Sequence, residues 1–97
     1  MSKPAYLIVD AKSSDPQAMA RYRELAQVAV ERFGGRYLVR GGAYTVLEGA
    51  WQPQRVVVVV FPSMEQARAF YDSPEYLAAR AARAGVSDFD MLVVEAY

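Results

Sequence analysis

Short apolar runs and amphipathic segments follow one another along the chain. Residues 5–9 form a short, β-favouring apolar run that ends at Asp10. Apolar residues then recur at helical spacing from residue 19 to residue 33. Asp15-Pro16 supplies a good N-cap and first helical residue before this segment, and Gly34-Gly35 supplies a stop after it. The pattern predicts a strand followed by a helix.

The middle of the chain carries two further strand patterns separated by glycines. Residues 36–40 predict a second strand, and Gly41-Gly42 predicts a bulge or bend. Extended chain is expected over residues 44–48 and a turn over residues 49–54. Residues 55–61 contain five consecutive valines, which makes them the strongest strand candidate in the chain.

Helix-starting signals return after this strand. Ser63 and Gln66 fit a capping box, and Ser73-Pro74-Glu75 restarts the helical pattern, which continues to Gly85. Two short helices or one kinked helix are expected, followed by a terminal strand over residues 91–94. The order β-α-β-β-α-β predicts an α+β, ferredoxin-like domain over residues 1–97, with an antiparallel sheet and the helices on one face.

The strands carry a second signal, because they are apolar on both faces. An antiparallel sheet with one face in water alternates apolar and polar residues. Here three strands contain YLIV, VVVVVF and MLVV instead. Helices on one face leave the other bare, so we expect a homodimer formed through the open sheet face. The alternative is that the C-terminal residues or the 44–53 hairpin cover this face.

Composition narrows the chemistry. The 97 residues contain 11 basic and 11 acidic side chains, so nucleic acid and membrane surfaces are not expected partners. The chain has no Cys and no His, which excludes thiolate and histidine catalysis and removes the usual ligands of transition metals, so no metal site is expected. The N-terminal segment matches neither a secretory signal nor a membrane span, so a cytoplasmic location is expected.

Three strings carry a family resemblance. They are FGGRYLVRGG at residues 33–42, LEGAWQPQRVVVVVFPS at residues 47–63, and YDSPEY at residues 71–76. In this order they resemble the DUF1330 family over nearly the whole chain. The resemblance implies a dimeric α+β barrel, in which two ferredoxin-like sheets pack face to face, but it implies no known reaction. The same architecture is similar to that of the antibiotic-biosynthesis monooxygenases and muconolactone isomerases.

A small set of polar and aromatic side chains forms the candidate site. Arg36, Leu38 and Arg40 are expected on one face of the second strand. Arg40, Trp51, Arg55 and Tyr71 are the candidate ligand-binding residues, and Glu48, Tyr44 and Tyr76 are the candidate proton handlers. In such a pocket, aromatic walls would hold an apolar ligand while arginine fixes a carboxylate or enolate.

A structural role for these residues is the alternative. Glu48 would then pair with Arg40 or Arg55, and Trp51 would hold the turn. Two functions therefore stay open. One is a cofactor-independent enzyme or binder for a small aromatic or enolisable carboxylate, and the other is a noncatalytic dimeric module that senses a metabolite or has a structural role. No cofactor is expected in either.

Overall fold

The computed structural model describes residues 2–97. The strands are β1 (Ala5–Asp10), β2 (Arg36–Arg40), β3 (Val56–Phe61) and β4 (Asp90–Glu95), and the helices are α1 (Pro16–Arg32), α2 (Met64–Asp72) and α3 (Pro74–Ala82). The sheet order is β2-β3-β1-β4, and each neighbouring pair is antiparallel. This is the ferredoxin-like arrangement, and it confirms the predicted α+β fold.

Side-chain caps fix the ends of the helices. The Asp15 carboxylate accepts hydrogen bonds from the backbone N–H groups of Gln17 and Ala18 at the start of α1. Ser73 separates α2 from α3, because its hydroxyl donates to the Phe70 carbonyl (2.7 Å) and accepts from the Tyr76 N–H (3.1 Å). The break predicted at Pro74 is therefore confirmed, and it produces two short helices.

One face of the sheet, called here the inner face, packs against the helices. It contributes Leu7, Val9, Val59 and Phe61 to the hydrophobic core. The helices contribute small and aromatic residues, among them Ala29 and Tyr76, which are both fully buried. Because alternate residues of a strand point to opposite faces, the intervening residues of β1 and β3 lie on the other side.

The opposite side of the sheet, called here the outer face, is also apolar. Ile8 lies beside Val58 on one side and Leu92 on the other in the strand register. Leu92 is 57% exposed and Val94 is 45% exposed. Of the segments proposed as alternative covers, residues 44–52 and the terminal Tyr97 are exposed, whereas Pro53 is buried and Trp51 covers only the Asp10 end of this face. The prediction of a sheet that is apolar on both faces is confirmed.

One local prediction for the segment after α1 is wrong. β2 ends at Arg40 on the edge of the sheet, where Gly41 has a φ of +75°, and residues 44–48 pair with no strand of residues 2–97. The prediction that Arg36, Leu38 and Arg40 share one face of β2 is wrong. The register shifts between Tyr37 and Val39, so Arg40 lies on the inner face with Tyr37, while Arg36 lies on the outer face.

Candidate functional site

A groove and a small cavity adjoin at one end of the inner face. The groove has a volume of about 370 Å³ and runs between the N-terminal part of α1 and the bend at Gly41-Gly42. The cavity has a volume of about 40 Å³ and lies between the inner face and α1. Four residues line both spaces, namely Ala11, Met19, Arg23 and Arg55. The cavity is therefore the apolar inner end of the groove.

Three arginines surround the place where the two spaces meet. Arg23 projects from α1, Arg40 ends β2, and Arg55 precedes β3. No carboxylate of residues 2–97 lies within ion-pair distance of any of the three, and the same is true of Arg36, Arg68, Arg80 and Arg83 elsewhere on the protein. These three residues are half-buried, and Asp15 is the one carboxylate among the residues that line the two spaces, so positive charge exceeds negative charge there.

Hydrogen bonds and stacking hold two of these arginines in place. The Arg40 guanidinium donates to the Gln27 side chain (2.8 Å) and to the Arg23 carbonyl (3.3 Å), and it lies 4.1 Å from the centre of the Tyr37 ring. Arg55 donates to the Arg40 carbonyl at 3.4 Å. Only protein oxygen acceptors that are neutral satisfy these donors, which leaves the charges available to an anion.

Gly41 allows Arg55 to approach the chain closely. A Cβ atom at position 41 would lie 2.3 Å from Nη1 of Arg55, far inside van der Waals contact. The Gly41 N–H donates to the Val56 carbonyl (2.8 Å), so the backbone at the bend is itself anchored to β3. The glycine pair therefore serves backbone geometry at the wall of the groove.

Tyr22 and Tyr37 line the inner cavity. The Tyr22 hydroxyl forms a buried hydrogen bond of 2.7 Å with the hydroxyl of Tyr76, which does not line the cavity. Burial raises the pKa of Tyr22 far above its usual range, and the nearby Tyr76 adds to the effect. Burial also raises the pKa of Tyr37, against the opposing influence of Arg40. Both phenols stay protonated near neutral pH, so they can donate hydrogen bonds but cannot act as bases there.

The structure brings only part of the predicted site together. Arg40 and Arg55 meet at the bend, and Tyr44 lines the groove with Arg55. The Tyr44 hydroxyl donates to the Pro53 carbonyl across the base of the loop. Glu48 is exposed on that loop and has no Lys or Arg partner within residues 2–97, so the alternative pairing with Arg40 or Arg55 is absent from the part of the chain described.

The remaining predicted residues lie away from the groove. Trp51 is 58% exposed, and its Nε1–H donates to the buried Asp10 carboxylate at 3.2 Å. Tyr76 is fully buried in the core. Tyr71 lies on the surface of α2, where the Arg80 guanidinium lies 4.6 Å from its ring centre. Neither Trp51, Tyr71 nor Tyr76 lines the groove or the cavity.

Several residues of the site were not predicted as such. Arg23 lies four residues after the buried Met19, at the edge of the apolar stripe of α1, and this spacing was its one signal in the sequence. Tyr22 belongs to the apolar stripe of α1, and the sequence contains no signal that its hydroxyl forms a buried hydrogen bond. Tyr37 faces the cavity because of the bulge in β2, which no local pattern indicates.

The described part of the chain contains neither a candidate metal site nor a candidate membrane span. Among residues 2–97, no three acidic side chains come together in a way that could hold a metal ion. No helix in the same part of the chain has both the length and the apolar character needed to cross a bilayer.

Comparisons with known proteins connect the chain to one family and to several solved structures. The model of DUF1330, a domain of unknown function, matches residues 4–97. A crystal structure of RPA0582, a protein of unknown function from Rhodopseudomonas palustris, is similar over 100% of this chain and 85% of its own, with 18% identity and a TM-score of 0.77. No curated protein sequence matches this chain.

Two other solved structures share the fold at similar identity. SnoaB, a cofactor-independent oxygenase from Streptomyces nogalater, is 15% identical, with a TM-score of 0.61 over 99% of this chain and 95% of its own. A dimeric ferredoxin-like protein of unknown function from Thermobifida fusca is 18% identical, with a TM-score of 0.59 over 99% of this chain and 93% of its own. At these identities the likeness shows a common fold.

Proposed function

The chain belongs to the DUF1330 family, and from that premise we propose that it is a homodimeric binder of a small aromatic or enolisable carboxylate. The ligand's anionic head lies against Arg55 and Arg23 in the groove, and its apolar part points toward the inner cavity. The observation that carries the proposal is the cluster of Arg23, Arg40 and Arg55 without a carboxylate partner in the described part of the chain.

Electrostatics supports an anionic ligand. Neutral acceptors leave the charge of a guanidinium group uncompensated, and a carboxylate can both balance this charge and accept two parallel hydrogen bonds from one arginine. The net charge of the chain is zero, but Arg23, Arg40 and Arg55 outnumber the one carboxylate, Asp15, among the residues that line the groove and cavity. A ligand carboxylate would therefore supply the counter-charge that the protein does not.

The size and lining of the site support a small ligand with an apolar part. The groove volume of about 370 Å³ lies at the lower end of the usual range for small-molecule sites. Its inner end is lined by Met19 and, further in, by Val57 and Phe89, which suit an aromatic ring or a short acyl chain. The cavity alone, at about 40 Å³, holds only a few water molecules, so the groove carries most of the ligand.

The outer face supports the homodimer. A monomer would leave Ile8, Val58 and Leu92 side by side in water on one continuous apolar surface. Packing this surface against the same surface of a second copy forms a dimeric α+β barrel. The ferredoxin-like protein from Thermobifida fusca is described as dimeric, which agrees with this assembly.

The donors in the site favour binding over base catalysis. Tyr22 and Tyr37 are protonated near neutral pH because burial raises the pKa of each. The carboxylate of Asp15, which lines the groove, already accepts two hydrogen bonds from the start of α1. A cofactor-independent reaction in this site would therefore act on a ligand that is already ionised as an enolate, with the arginines stabilising the oxyanion. A noncatalytic module would differ from such an enzyme because it would bind the carboxylate and release it unchanged.

Isothermal titration calorimetry with benzoate tests the proposed function. We expect Arg55→Met to weaken benzoate binding by about ten- to 150-fold, because it removes charge-assisted hydrogen bonds while keeping an apolar stem. Arg21→Met is the matched control. It makes the same change of charge on α1, but Arg21 is exposed and pairs with Glu24 away from the groove. We expect this control to leave the affinity unchanged.

Two results would contradict the proposal. If benzoate, salicylate and acetoacetate all fail to bind the wild-type dimer at millimolar concentration, the groove does not bind small carboxylates. Equal loss of affinity in Arg55→Met and Arg21→Met would mean that the net charge of the protein, and not the groove, attracts the anion. Native mass spectrometry of the purified protein adds the mass of the dimer and of any molecule retained in it.

A further inference from the structure

Asp10 is a buried carboxylate that the proposed binding site does not use directly. It ends β1 on the outer face and is only 3% exposed. The nearest cation is Lys12, whose Nζ lies 4.0 Å away and pairs more closely with Asp90 at 2.7 Å. A buried carboxylate in an apolar sheet is costly unless hydrogen bonds satisfy it. The donors that do so indicate what it holds in place.

All the hydrogen bonds to the Asp10 side chain come from one short segment. Oδ2 accepts from Trp51 Nε1 at 3.2 Å, and Oδ1 accepts from the backbone N–H of Gln54 at 2.9 Å and of Arg55 at 3.4 Å. These donors lie 41 to 45 residues from Asp10 along the chain. The carboxylate therefore fixes the end of the exposed loop to the end of β1.

The segment that Asp10 fixes continues into the groove. The Arg55 carbonyl accepts a hydrogen bond from the Ala11 N–H (2.8 Å), so both backbone polar groups of Arg55 are bonded to the end of β1 and the residue after it. Its side chain reaches the inner side, where it contacts Gly41 and the Arg40 carbonyl. A shift of the Arg55 backbone would move its guanidinium group away from Gly41 and the Arg40 carbonyl.

We infer that Asp10 is a positioning residue for the ligand site: by fixing the Gln54 and Arg55 backbone and the Trp51 side chain, it sets the place of the Arg55 guanidinium. This inference rests on the proposed function. It also links the two faces of the sheet, because the carboxylate and Trp51 lie on the outer side while the guanidinium lies on the inner side. Asp10 itself is not among the residues that line the groove.

Asp10→Asn tests the inference, and Asp90→Asn is its matched control. The two aspartates face each other in the β1–β4 register. Asp90, however, is exposed and accepts a hydrogen bond from Lys12, whereas the bonds from Trp51, Gln54 and Arg55 go to Asp10. The asparagine at position 10 retains one acceptor oxygen and presents an N–H group to one of its former donors. We expect Asp10→Asn to weaken benzoate binding by about fivefold or more, and Asp90→Asn to leave it unchanged.

A double-mutant cycle separates positioning from general destabilisation. If Asp10 acts through Arg55, Asp10→Asn should cause no further loss of affinity in the Arg55→Met background. A loss of the same size in both backgrounds would overturn the inference, since Asp10 would then support the fold and not the arginine. So would wild-type affinity in the folded Asp10→Asn protein.

A measurement without ligand keeps this inference separate from the proposed function. The side-chain Nε–H of Arg55 can be followed by NMR, with its exchange rate and heteronuclear NOE as measures of order. We expect the Arg55 signal to be ordered in the wild type and in Asp90→Asn, but to lose order in Asp10→Asn. If benzoate binds no variant, the proposed function fails, and an unchanged Arg55 signal in Asp10→Asn would then overturn the positioning role as well.

Trp51→Phe replaces Asp10→Asn if the latter does not fold. This change keeps the Asp10 carboxylate and removes a single donor on an exposed side chain. We expect a weaker effect in the same direction, with a twofold to threefold loss of benzoate affinity. A wild-type affinity together with a wild-type Arg55 signal in Trp51→Phe would overturn the inference.

Discussion

The two faces of the sheet have nearly the same composition but opposite surroundings. On the inner face, Leu7 and Val59 are almost completely buried under the helices. On the outer face, Leu92 and Val94 are among the most exposed large apolar residues of the sheet. The apolar character of a residue therefore does not determine whether it is buried, and the difference between the faces arises from what covers them.

Polar groups divide between the faces in the same way. The inner side has the Tyr22–Tyr76 hydroxyl pair and the arginines of the groove, while the outer side has one buried carboxylate, Asp10. The two tyrosine hydroxyls bond each other, and the arginines have no carboxylate partner among residues 2–97. The Asp10 carboxylate accepts hydrogen bonds from the end of the loop that leads to Arg55. The inner face thus resembles a finished core with a site at its edge, and the outer face resembles one half of an interface.

The largest contrast is expected from a charge placed on each face of β3. Phe61→Asp puts an unpaired carboxylate into the inner core, away from the arginines of the groove and cavity, which costs several kcal/mol and should leave the chain unfolded. Val58→Asp puts the same charge on the outer face, beside Ile8, and should give a folded monomer in place of the dimer. Circular dichroism and sedimentation equilibrium distinguish the two results. A folded dimer with Asp at position 58 would exclude the outer face as the interface.

Leucine truncation gives a second and smaller contrast. Leu7→Ala on the inner face should lower the free energy of unfolding by about 2 to 5 kcal/mol, because a buried side chain leaves a cavity. Leu92→Ala should cost less than about 1 kcal/mol at dilutions where the protein is monomeric. At high concentration its cost should increase, because the dimer buries Leu92. Urea denaturation at two protein concentrations measures this, and a concentration-independent cost for Leu92→Ala would argue against the interface.

Secondary structure and the two-faced sheet could be predicted because they depend on local sequence. The five valines of residues 56–60 favour a strand in any setting, and Ser73-Pro74 ends one helix and starts the next through its own side chain and ring. The apolar character of both strand faces followed directly from alternation. These features require no knowledge of what lies elsewhere in the chain.

The site could be predicted only in part because its geometry depends on distant segments. Arg40 faces the inner cavity because of a bulge in the pairing of β2 with β3, whereas strict alternation places it on the same face as Arg36. Asp10 is an acid at the end of a strand, and its role is visible only once Trp51 and Gln54 fold back onto it. Glu48 matched the chemistry but lies on a loop that no partner strand holds near the arginines.

The buried hydroxyl pair on the inner side gives the third test. Tyr22→Phe leaves the Tyr76 hydroxyl without its partner and should lower stability by about 1 to 3 kcal/mol. The pKa of Tyr22 is raised in the folded state, so the folded protein keeps a proton that the unfolded chain releases above about pH 10. Wild-type stability is therefore fully present below pH 10 and falls as the pH rises further, by up to about 1.4 kcal/mol per pH unit for this group.

Urea denaturation of both proteins between pH 9 and pH 11 checks this linkage. Tyr22→Phe should fall less steeply with pH than the wild type, while Tyr97→Phe, which changes an exposed tyrosine, should follow the wild-type slope. Parallel slopes for wild type and Tyr22→Phe would show that Tyr22 titrates alike in the folded and unfolded states.

The smallest difference in stability is expected between the two glycines of the loop that have positive φ. Gly41 (φ +75°) contacts the Arg55 guanidinium, whereas Gly49 (φ +89°) faces open space. Replacing either by Ala should cost about 1 to 2 kcal/mol, because a Cβ atom disfavours this backbone conformation. Only Gly41→Ala should also weaken benzoate binding in calorimetry, since its Cβ displaces Arg55 from the groove wall. Equal benzoate affinities in the two variants would mean that the contact between Arg55 and the bend does not set the site, and that the groove tolerates more movement of this arginine than its close packing indicates.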